Sequence, residues 1–178
     1  MSTIAVSDVT DKLEQELELL FREHYQMLYR TAYGMLKNRS DAEDVPQTIF
    51  MRLLRGGLPA DFQQNARRYL YRAAVNLSLD VIRARKRQKL TAGVEKLEVP
   101  IDASETHTAE ETHRRLAEAI SELRPEAVEI LMLRYVHSYS EKEIARLLGV
   151  SRGTVAIKLF RSRARLKRLM RSLAEGQE

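Results

Sequence analysis

Side chains able to hold a polyanion dominate the chemistry open to this chain, and they are concentrated in two places. Residues 146–171 carry nine basic side chains and no acidic one, a net of +9, and residues 67–89 carry eight against Asp80 alone, a net of +7. The whole chain is only +5, with 30 Lys plus Arg against 25 Asp plus Glu, so everything outside the two blocks sums to −11. An acidic body with two cationic blocks suggests two contacts with one polyanion. The competing explanation, two solvated helix faces, suits a single charge run better than a pair this one-sided. Other chemistries lack their residues. Cys is absent, which excludes disulfides, thiolate metal sites and cysteine nucleophiles. His24, His107, His113 and His137 never fall at the i, i+4 spacing that puts two ligands on one helix face, and no Gly-rich phosphate loop occurs. The carboxylate pairs Glu110/Glu111 and Asp41/Asp44 have no nucleophile beside them and suit helix starts. Neither catalysis, a cofactor nor a metal is expected.

In the second block, spacing adds to charge. Ser140 and Glu143 form an S-x-x-E capping box leading into EKEIARLLGVSRGTVAIKLFRSRARLKRL. Ala145, Gly149 and Val155 are spaced as in a helix-turn-helix, with Ile144, Leu148 and Val150 filling its small core. Two helices crossing closely need a small side chain at Ala145, and the turn between them needs the φ freedom of Gly149. Ser151 is suited to cap the second helix. Along that helix Val155, Leu159, Leu166, Leu169 and Leu173 form a seam, with Lys158, Arg161, Arg165 and Arg168 beside it. Duplex DNA is the expected ligand. Arg152, Thr154, Ala156 and Lys158 are expected nearest base edges, with Arg161, Arg165 and later arginines on phosphates.

The elements that position these blocks read as helices throughout, and only seven Gly and four Pro leave little room for a many-stranded sheet. From Leu13 to Leu36 apolar residues recur at helical spacing, with an i+4 aromatic row of Phe21, Tyr25, Tyr29 and Tyr33 expected to pack on a partner helix. Ser40 and Glu43 predict a capping box for a second helix carrying Val45, Ile49, Phe50, Leu53 and Leu54 inward. After Gly56, Gly57 and Pro59, a third helix is predicted with Ala66, Leu70, Ala73, Leu77, Val81 and Ala84 on one face, leaving through the basic run RARKRQK. Residues 91–109 are polar and acidic without periodicity, which predicts a flexible linker. A second helical domain follows, with Leu116, Ala119, Ile120 and Leu123 on one face, then Pro125 opening a helix through Val128, Leu131 and Tyr135. The expectation is an all-α protein of two small domains, residues 13–90 and 110–174, the latter holding the helix-turn-helix. No apolar run approaches a spanning helix, and no export signal is evident, so a cytoplasmic protein without membrane insertion is expected.

Taken together, these residues resemble the extracytoplasmic-function (ECF) sigma factors, bacterial initiation factors built of two helical domains. SDAEDVPQTIFMRLLR resembles the family's acidic segment for core RNA polymerase, which implies polymerase-binding roles for Asp41, Glu43, Asp44 and Gln47. ARRYLYRAAVNLSLDVIRARKR resembles its promoter-melting helix, which implies minus-ten DNA contacts for Arg72, Asn76, Arg83, Arg85, Lys86 and Arg87. By the same resemblance the Gly56–Asn65 loop would hold a flipped base. The C-terminal helix-turn-helix resembles the minus-thirty-five reader. Core polymerase, promoter DNA and an anti-sigma factor are the partners so implied. Two departures stand out: Pro46 and Thr48 replace a small or aliphatic residue and an acidic one, and Ala156 and Ile157 replace a Lys and a small polar residue. Pro46 inside a helix costs about 3 kcal/mol, so a later start at Asp44 or a kink is expected there, with a weakened grip on polymerase. A conventional helix-turn-helix regulator, or a sigma mimic that sequesters an anti-sigma factor, are the alternative functions.

Overall fold

The computed structural model of the chain describes residues 3–59, 62, 65–91 and 104–175, and every regular element among them is a helix. In chain order they are α1 (Thr3–Leu36), α2 (Arg39–Gly56), α3 (Ala66–Thr91), α4 (Ser104–Ser121), α5 (Pro125–Tyr135), α6 (Glu141–Leu148) and α7 (Arg152–Glu175). The first three pack on one another through Leu28, Ala32 and Met35 of α1, Val45, Ile49 and Leu53 of α2, and Leu70, Ala74 and Leu79 of α3, all buried. The last four enclose Ala119, Ile120, Leu123, Val128, Leu131, Ile144, Leu148, Val155 and Leu159. The all-α expectation with two helical domains therefore stands.

Local chemistry departs from the expected at several helix ends and faces. The cap of α2 is Asn38, whose Oδ1 accepts from the Asp41 backbone N–H at 3.0 Å, and neither Ser40 nor Asp44 caps it. An Asn at this position satisfies the free first-turn N–H groups as well as Ser does, and it lets the helix start earlier. Pro46 consequently lies well inside α2 and is buried. Leu54 is exposed rather than inward. Asn65 caps α3, accepting from the Arg68 N–H at 2.9 Å. The buried face of α3 is Leu70, Tyr71, Ala74, Val75, Ser78, Leu79 and Ile82, rotated from the predicted stripe, whose Ala66, Ala73, Leu77, Val81 and Ala84 are only half-buried. Phe21 packs edge-on against Phe50 at 4.5 Å, as expected for core, while Tyr25, Tyr29 and Tyr33 stack along α1 and Tyr33 is exposed. Of the segment expected as linker, Thr91 and residues 104–109 are helical, and residues 92–103 lie outside the described residues.

The larger difference is that the two domains share one core. A single apolar cluster runs from Leu28 and Val75 to Leu131 and Val155. The reason sits in α5, where Val128, Glu129, Ile130, Leu131, Met132 and Leu133 are all buried. A helix buried on every side must have a neighbour on every side, and here α6 and α7 cover one flank while α3, with α1 at Gly34, covers the other. Tyr135, predicted on the packed face, is exposed. Gly34 of α1 permits the approach: a Cβ there would stand 2.8 Å from Met132 Cε and 3.0 Å from a Val136 methyl.

Candidate nucleic-acid interface

The helix-turn-helix forms as its residues require. Ser140 Oγ accepts from the Glu143 N–H, while the Glu143 carboxylate accepts from the Ser140 N–H at 2.8 Å, a reciprocal box that also holds the Glu143 carboxyl below its usual range. Gly149 ends α6 with φ 66°, a left-handed conformation costly for any residue with a Cβ. Ser151 accepts from the Thr154 N–H at 3.1 Å and so starts α7. Val155 and Leu159 are buried, Leu166, Leu169 and Leu173 half-buried, and Lys158, Arg161, Arg165 and Arg168 stand in solvent. Arg152 is exposed with Glu141 at 3.5 Å. Thr154 and Ala156 are half-buried, nearer the packed face than expected. At 100° per residue, the line opposite Val155 and Leu159 runs through Ile157 and beside Phe160, which are 54% and 69% exposed. These two side chains were not among the expected base-edge residues, although the two-residue step from Val155 to Ile157 was available to find Ile157.

Around α3 the geometry is mixed. An open cleft of about 680 Å³ lies between the end of α2 and the start of α3, lined by Arg52, Gly57, Pro59, Asn65, Tyr69, Arg72, Asn76 and Asp80. It brings Asn76, exposed, together with Gly57, Pro59 and Asn65. Arg72 borders the cleft too, but its Nε donates to Glu129 Oε1 at 3.0 Å, a carboxylate whose side chain is only 7% exposed. Burial raises the Glu129 carboxyl above its usual range more than Arg72 lowers it, so this pair holds a charge the interior disfavours.

The basic run at the end of α3 is also occupied by protein. Arg83 donates to the Ser121 and Leu123 carbonyls at 3.2 Å each, where the C-terminus of α4 concentrates negative partial charge. Lys86 Nζ lies 2.6 Å from Glu122 and 3.5 Å from Glu118, which lowers the Glu122 carboxyl and raises the lysine. Arg85 pairs with Asp41. Arg87 is exposed. On α2, Asp44 and Gln47 are exposed, Glu43 is paired with Arg39 at 2.9 Å and Asp41 is half-buried.

The partners Glu118, Glu122, Glu129 and Tyr71 were missed in the sequence. The Tyr71 hydroxyl donates to the Glu129 carbonyl at 2.7 Å from a wholly buried ring. Nearby, His137 Nε2 lies 2.8 Å from Thr31 Oγ1, and burial together with Arg30 and Arg67 lowers its pKa to about 4. The one signal for this contact was the apolar run Ile130, Leu131, Met132 and Leu133 in α5, which leaves no polar face over a full helical turn. Among the described residues no His/Asp/Glu group could hold a metal, and no helix is long and apolar enough to cross a membrane.

Comparison with known proteins accounts for both domains. Residues 20–88 match the Sigma-70 region 2 family and residues 113–166 match Sigma-70, region 4. The chain is 32% identical to the ECF RNA polymerase sigma factor SigE of Mycolicibacterium smegmatis, over 83% of this chain and 59% of that protein. It is 33% identical to the ECF RNA polymerase sigma factor SigM of Mycobacterium tuberculosis, over 88% of this chain and 78% of that one. SigW of Bacillus subtilis, also an ECF sigma factor, is 29% identical over 82% and 84%. Two sigma-70 regions in order over the two helical domains, together with a relative this similar across most of both chains, place the chain in the family of ECF RNA polymerase sigma factors.

Proposed function

We propose that this chain binds core RNA polymerase and directs it to promoters as an alternative sigma factor. The observation that carries this most strongly is the helix-turn-helix whose second helix turns a continuous cationic face to solvent, in a chain whose second cationic helix borders a polar cleft. The outer face of α7, with Ile157, Lys158 and Arg161, enters the major groove of the minus-thirty-five element, and Arg165 and Arg168 hold phosphates. Asn76, Arg72 and the cleft hold the separated strand at the minus-ten element, where a cationic groove and a pocket replace the stacking a flipped base loses. Arg83, Arg85, Lys86 and Arg87 follow that strand. Asp44 and Gln47, with Asp41 and Glu43, form the polymerase contact on α2, and an anti-sigma factor is a further partner that the family membership implies. The chain works in the bacterial cytoplasm and catalyses nothing itself.

Run-off transcription with purified core enzyme on a library of upstream regions tests this. Defined start sites absent from core alone are expected. A stable complex with polymerase that yields none would overturn it.

A further inference from the structure

We propose that Ile157 reads the C5 methyl group of a thymine, so that the duplex taken up by α7 carries a thymine beneath this side chain. The inference deepens the promoter reading above and rests on its placing of α7 in a major groove. It starts from the uncharged side chains along the outermost line of α7. At 100° per residue Gly153, Ile157, Phe160 and Ala164 form one strip facing away from Val155 and Leu159, and all four are exposed. Exposed cations flank this strip on both sides, Lys158 and Arg161 on one and Arg163 and Lys167 on the other. A single exposed apolar side chain is ordinary on a protein surface. A continuous uncharged strip between two cationic rows is instead the counterpart of a major groove, which has base edges along its floor and a phosphate row on either wall. Side chains of the strip meet the floor, and those of the flanks meet the walls.

What the strip can recognise follows from its chemistry. Isoleucine has neither donor nor acceptor, so a polar base edge set against Ile157 would lose its water and gain no hydrogen bond. The thymine C5 methyl is the one apolar group on the major-groove floor, and it is what such a side chain can bury. Ile157 is the sixth residue of α7, in the N-terminal part of the helix where a helix-turn-helix touches base edges. Gly153 lies one turn before it, and among the described residues a Cβ there would meet nothing nearer than Ser151 Oγ at 3.9 Å. Packing within the chain therefore does not demand glycine at this position, and the missing side chain lets the start of α7 come down onto the bases. Phe160, one turn after Ile157, shields the contact from water at its other end.

The test uses the full-length chain, alone and with core polymerase. Duplexes randomised over the upstream element are selected for binding, and the winning duplex is remade with deoxyuridine for thymidine at one position at a time. Each replacement deletes one methyl group and leaves every hydrogen-bonding group in place. At one thymine the replacement is expected to weaken binding about fourfold, the worth of one buried methyl. Ile157→Ala, at an exposed position whose truncation leaves the core intact, is expected to show no such loss there. A winning duplex without a methyl-sensitive thymine, a loss that persists in Ile157→Ala, or no duplex selected at all would each overturn the proposal. Run-off transcription separates this from the promoter reading. Start sites without methyl dependence leave the sigma function standing and remove the role of Ile157. Methyl-dependent duplex binding without any start site removes the sigma function and keeps that role.

Discussion

The two cationic helices carry similar charge, yet they present it to different surroundings. On α7, Lys158, Arg161, Arg165 and Arg168 lie in solvent beside a seam that packs inside their own domain. On α3, Arg72, Arg83, Arg85 and Lys86 each meet a carboxylate or a carbonyl, three of the four from the other domain. A run of basic residues therefore reports that a helix can bind a polyanion, while its availability depends on what the tertiary fold sets opposite it. The acidic remainder of the chain supplies that opposition.

The comparison breaks most visibly at Tyr71, which joins α3 to α5. Tyr71→Ala removes a wholly buried ring and its hydrogen bond, and a loss of about 3–5 kcal/mol is expected by chemical denaturation. A loss below about 1 kcal/mol would mean that the α3–α5 contact contributes little and that α3 is as free as α7.

Acid acts on the same contact through His137, which faces Thr31, Tyr71 and Tyr139, with Arg30 and Arg67 close by. Its pKa is about 4 folded against 6.5 in the unfolded chain, so between these values only the unfolded chain takes the proton. Stability then falls as pH drops from 6.5 towards 4, by at most about 3 kcal/mol. His137→Gln should flatten most of that slope in pH-dependent melts. The lowered pKa of His24 leaves a smaller residue of the same sign.

On the exposed helix the expected effects are smaller and are read in DNA binding. Ile157→Ala and Lys158→Ala should each relax preference at one base pair by about 1–3 kcal/mol, measured on a randomised minus-thirty-five element with holoenzyme. Unchanged preference in Ile157→Ala would show that the outward line of α7 does not meet base edges.

The smallest effect sharpens the contrast directly. Arg165→Ala should weaken binding of the free chain to all duplexes alike and reduce the slope of log affinity against log salt by about one. Arg83→Ala should leave that slope unchanged in the free chain, because its guanidinium is already held by Ser121 and Leu123. Equal slopes from both variants would mean that α3 is uncovered in solution.

Much of this protein was legible in its residues. Helical periodicity, the Ser140/Glu143 box, the left-handed Gly149 and the cap at Ser151 are local: each depends on side chains within a few positions, where spacing and backbone chemistry decide the outcome. The two cationic blocks and the Ala145, Gly149, Val155 pattern belong to the same class. The misplaced cap of α2 was a local competition, since Asn38 and Ser40 are both good caps and the earlier one adds helix. Neither Pro46 nor its cost prevents that, because the helix continues on buried contacts from Val45, Ile49 and Leu53. The rotated face of α3 and the burial of α5 on every side were not local. Both depend on a neighbour distant in sequence, and periodicity reports one apolar stripe without saying how many partners press on a helix.

What the sequence determined by itself was an all-helical chain of two domains with a DNA-reading helix-turn-helix and a second cationic helix, because capping, periodicity and charge runs are set within a few turns. Only the tertiary structure decided which of those charges face solvent, because pairs such as Arg72 with Glu129 and Lys86 with Glu122 form across 57 and 36 positions of chain, where proximity comes from packing around Gly34, Tyr71 and α5.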